Sequence, residues 1–132
     1  MHNSLRRTVE APARMDEAKQ TIAHLCSERA ALRDEAAKTE ALIAKLQRRV
    51  EDLEQRIARE TQAASRSMVD ADGEFVMPEA LTRLDVELRA TLAERQSRLT
   101  ELQGELELIQ DQVRDAQRTY GSARAAVAEI EL

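Results

Sequence analysis

Aromatic side chains are nearly absent from this chain of 132 residues, which has one Phe, one Tyr and no Trp. Glycine and proline are scarce as well, with three and two copies. A compact β domain needs β-branched and aromatic strands broken by frequent turns, so these shortages exclude one. A single cysteine, Cys26, excludes an internal disulfide framework and suits a reducing compartment. No apolar run is long enough to span a bilayer. The opening residues carry Arg6 and Arg7 without an apolar stretch behind them, so they do not read as a secretory signal. The net charge of −5 is modest for this length and comes without a basic stripe, which argues against nucleic acid as a partner.

What the chain has in abundance is charge, at 34% of residues, together with alanine and leucine. This is the composition of long helices. Proline and Asp-Gly divide it into four parts: a flexible leader over residues 1–12, a first arm over 13–67, a tip over 68–78 and a second arm over 79–132. Pro12 closes the leader, and Pro78 suits the first turn of the second arm, where its missing N–H is not needed.

Both arms carry a heptad pattern. In the first, the a positions include Met15, Ile22, Arg29, Ala36, Ile43, Val50 and Ile57, and the d positions Ala18, Leu25, Leu32, Thr39, Leu46 and Leu53. In the second, the d positions include Leu81, Leu88, Arg95, Leu102, Ile109, Ala116 and Ala123, and the a positions Asp85, Leu92, Leu99, Leu106, Val113, Tyr120 and Val127. Antiparallel pairing sets each a against a d. A fold-back centred between Asp72 and Gly73 places Met15 opposite Ile130, Ala18 opposite Val127, Leu25 opposite Tyr120 and Leu46 opposite Leu99. A parallel homodimer would instead set Arg29, Glu60, Asp85 and Arg95 each against its own copy, whereas the hairpin leaves one like-charge layer, Glu60 opposite Asp85. The expected fold is therefore all-α, a long antiparallel coiled-coil helical hairpin with a short tip loop. Val69 and Phe75-Val76 around Asp72-Gly73 could form a tiny β-hairpin there. A swapped dimer or other homo-oligomer would use the same layers.

The tip also resembles an EF-hand loop, with Asp70, Asp72, Gly73, Phe75 and Glu79 at loop positions 3, 5, 6, 8 and 12. Met68 stands at position 1, where the first carboxylate belongs, so a plain acidic turn is the competing reading. Calcium through Asp70, Asp72 and Glu79 would make the protein a calcium-responsive regulator. Elsewhere His24 and Cys26 are two apart on a helix and point to different faces. No phosphate loop, nucleophilic triad or metal-ligand spacing is present, so no catalytic residue or cofactor is expected and the chain does not read as an enzyme.

The remaining features concern recognition. Ala23, Ala30, Ala37, Ala44 and Ala58 form a column at b positions, where small side chains would let a partner helix approach closely. Alanine is also simply the best exposed helix former. Leu42, Leu84, Val86 and Leu108 lie outside the seam and suggest further contacts. Gln96, Gln103, Gln110 and Gln117 hold e positions of the second arm, leaving little charge-based choice of partner there. These features describe a cytoplasmic structural or adaptor protein that docks helical protein partners.

Two families share the outline. Over nearly its whole length the chain resembles the stalk proteins of flagellar and type III secretion export apparatus, which are Ala/Arg/Glu-rich antiparallel coiled-coil hairpins. The segment from Val69 to Val76 between two arms is similar in plan to the simpler prefoldin subunits, which place a β-hairpin between long helices. The first resemblance implies a stalk-like subunit of a larger assembly, and the second a chaperone that holds clients at the arm ends.

Overall fold

The computed structural model describes the backbone of residues 2–68 and 77–131 and the side chains of residues 10–66 and 77–130. It contains two long α-helices, α1 (His2–Met68) and α2 (Glu79–Glu131), packed against each other as an all-α helical hairpin. There is no strand among the described residues. The expected β-hairpin at the tip, with Asp70 and Asp72, lies outside them.

The helix ends follow local chemistry. The Pro78 carbonyl accepts hydrogen bonds from the amides of Leu81, 3.0 Å away, and Thr82, 3.3 Å away, which opens α2. Glu79 in the first turn of α2 and Arg66 in the last turn of α1 each oppose the sign of the helix dipole at their end. At the start of the chain the expected leader is instead part of α1, which begins at His2 and carries Pro12 inside it. Pro12 has no N–H to offer the carbonyl of Thr8, so one rung of the ladder is missing. Pro12 itself is exposed, while Ala11 beside it is buried, and packing of that face outweighs the local cost.

The chain divides into two compact units: unit 1 comprises Met1–Ala36 with Leu102–Leu132, and unit 2 is Ala37–Glu101. In both, the seam is made by the heptad positions. Among the described residues of unit 1, Ala11, Ala18, Ala36, Leu102, Ile109, Val113, Ala116 and Ala123 are buried, and Leu102 is completely buried. All but Ala11 are a or d residues of the two arms, and Ala11 is the d position one heptad before Ala18. In unit 2, Leu46, Val50, Leu53, Leu81 and Leu88 form a single apolar cluster, with Leu42, Ile57, Met77 and Leu92 packed against it. Thr39 is a buried polar side chain, and no buried side-chain polar atom lacks a hydrogen-bond partner among the described residues.

The register differs from the expected one. In unit 1 the Lys19 ammonium stands over the ring of Tyr120, 5.9 Å from its centroid, whereas Leu25 was the expected neighbour. Ala18 lines one groove with Ala116 and Thr119, and Ala11 lines another with Ala123 and Ala126. Each points to a slip of one heptad, about 10.5 Å along the axis. Ala11 is then level with Val127, Met15 with Ala123, Ala18 with Tyr120, Ile22 with Ala116 and Ala36 with Leu102. A small residue meets a large one in every one of these layers, as close packing requires. In unit 2 the cluster holds the pairs that the same slip makes level, Leu46 with Leu92, Val50 with Leu88 and Ile57 with Leu81, and equally Leu53 with Leu92 and Ile57 with Leu88 of the expected alignment, so it accommodates both. The slip also removes the like-charge layer. Glu60 is exposed, and Asp85 accepts a hydrogen bond from Arg89.

Candidate docking surfaces

The alanine column emerges on the surface for the most part. Ala23 and Ala30 in unit 1 are exposed, as are Ala37 and Ala58 in unit 2, while Ala44 is half-buried. Leu42 serves a different purpose from the one expected: it packs against the apolar cluster of unit 2 and belongs to the core rather than to an outer stripe. Leu108 is 58% exposed and Val86 is 62% exposed, and both are free of the seam. The side chain of Leu84 is less so, at the margin between exposed and half-buried.

Leu108 stands at an open groove of about 470 Å³ on unit 1, shared with Glu28, Ala31, Leu32, Glu105, Ile109 and Gln112. Two smaller grooves lie on the same unit. One, of about 260 Å³, is lined by Arg14, Glu17, Ala18, Thr21, Ala116 and Thr119. The other, of about 310 Å³, runs past Ala11, Ser122, Ala123 and Ala126. All three open on the side of the seam where d positions are flanked by c and g positions. The sequence reading concentrated on the b column and missed this side. The signal was available, because the d positions near both chain ends (Ala11, Ala18, Ala116 and Ala123) are alanines. A d residue without bulk leaves a trough between the flanking side chains.

The polar surface is mostly engaged along single helices. Arg14 pairs with Glu10 at 3.3 Å, Arg83 with Glu79 at 3.0 Å and Arg98 with Glu101 at 3.1 Å. Exposed pairs of this kind contribute little to stability. A bridge between the helices lies in unit 2, where the Arg89 guanidinium donates to Asp85 on its own helix, at 2.9 Å, and to Glu54 on α1. The hydrogen bond to Asp85 first, then that to Glu54, hold Arg89 protonated to still higher pH than an ordinary arginine.

Metal-ligating residues do not gather here. Glu79, the described member of the calcium set, is exposed and paired to Arg83. No group of three or more His, Cys, Asp or Glu that could hold a metal occurs among the described residues. His24 Nε2 lies 3.1 Å from Glu28, and both are exposed. Cys26 is a free, half-buried thiol with the Arg29 guanidinium 3.7 Å from its sulfur. Gln96, Gln103 and Gln117 are exposed and Gln110 is half-buried. No described helix is long and apolar enough to cross a membrane. Compared with protein-family models, curated proteins and solved structures, the chain matches none of them.

Proposed function

We propose that this protein is a non-enzymatic coiled-coil structural or adaptor protein that docks helical protein partners in a larger assembly, as a stalk-like subunit would. The observation that carries the reading is the division of labour among apolar residues. The seam takes the a and d residues, yet Leu108, Val86 and the alanines at 23, 30, 37 and 58 remain on the surface. Exposed aliphatic side chains beside a column of small residues are what the apolar face of a second helix would contact. A free thiol at Cys26 accords with a cytoplasmic setting.

Photo-crosslinking tests this reading. A photoreactive side chain at Ala30 or Ala37 in the native source should capture a second polypeptide, identified by mass spectrometry. With the probe kept at Ala30, the double variant Ala23→Glu, Ala37→Glu should keep its helicity and lose that product. If the product survives the double variant, the alanine column does not dock. If positions 30, 37, 86 and 108 all capture nothing, the adaptor reading fails.

A further inference from the structure

We draw no further inference here: the strongest candidate, the open apolar groove of unit 1 beside Leu108, carries nothing because its carboxylates Glu28 and Glu105 are already engaged within the chain and nothing in the structure shows what covers it.

Discussion

The Lys19 ammonium lies over the face of Tyr120, 5.9 Å from the ring centroid, on the side of unit 1 where α1 and α2 meet. A cation at that distance from an aromatic face is attracted by its quadrupole, modestly where water has access. Its greater value is as a marker of level. Tyr120 is an a residue of α2, and Lys19 follows the d residue Ala18, so the two helices are aligned with Ala18 level with Tyr120 and Ala11 level with Val127.

That alignment is testable with one shared position. In a Cys26→Ser background, cysteines at Ala11 and Val127 should form an intramolecular disulfide on mild oxidation, because a bridge needs Cα atoms within about 7 Å. Cysteines at Ala18 and Val127 should not, since the slip separates them by about 10.5 Å along the axis. Mass mapping of the oxidised monomer distinguishes the two. Efficient closure of the second pair and failure of the first would restore the alignment centred on Asp72-Gly73.

The seam itself was legible in the sequence and its alignment was not, for one physical reason. A heptad repeat looks the same after a shift of seven residues, so a and d membership survives the shift: Leu46, Val50, Leu53, Leu102, Ile109 and Val113 are all buried as the pattern requires. Only features that break the repeat can choose among alignments. Asp72-Gly73 was used as one, on the assumption that the fold-back halves the connection, but α1 ends at Met68 and α2 starts at Glu79, and a connection of that length need not be halved. The better discriminator was the carboxylate pair Glu60 and Asp85, which the expected alignment placed in contact. Pro12 misled in a similar way: the ring breaks one hydrogen bond, yet buried Ala11 and half-buried Met15 on either side hold the helix through it. The candidate surface was half legible. The exposed alanines and Leu108 were identifiable from their heptad positions, whereas the trough beside Ala18 and Ala116 depends on which d residues stand near each other, which again needs the alignment.

Leu102 and Leu108, on the same helix, should respond very unequally to truncation. Leu102 is completely buried in unit 1 and Leu108 is 58% exposed. Leu102→Ala should destabilise the protein by about 2–5 kcal/mol through lost apolar contact and the cavity it leaves. Leu108→Ala should change stability by no more than about 0.5 kcal/mol. Urea unfolding followed by far-UV circular dichroism measures both. Equal losses would mean that Leu108 is covered in solution.

Arg89 links the two helices of unit 2 through Glu54 while bonding Asp85 on its own helix. Its raised pKa means that the folded state favours the charged guanidinium. That contribution is complete below the pKa of arginine in the unfolded chain and is lost only as pH rises through the folded value, in strongly alkaline solution. Salt is therefore the practical probe. Arg89→Ala should lower the unfolding midpoint slightly at low ionic strength, and the difference from wild type should shrink at high salt as screening replaces the pairing. A deficit unchanged by salt would assign Arg89 a packing role instead.

Gly104 and Gly121 sit inside α2 on its exposed side, and both have ordinary helical backbone without positive φ. A methyl group built on either meets nothing within 4 Å. Neither a turn nor a close approach within the chain requires glycine there, so the extra freedom of the unfolded chain acts without compensation. Gly104→Ala and Gly121→Ala should each stabilise the protein by about 0.4–1 kcal/mol. The sites are far apart on the helix, about 25 Å by its rise, so the double variant should show close to the sum. The urea midpoint should rise without a change in slope, because the buried surface is the same. Full stability gain with loss of partner capture at either site would show that the glycine admits a partner's backbone; a loss of stability in the isolated chain would mean that the helix is interrupted at that position.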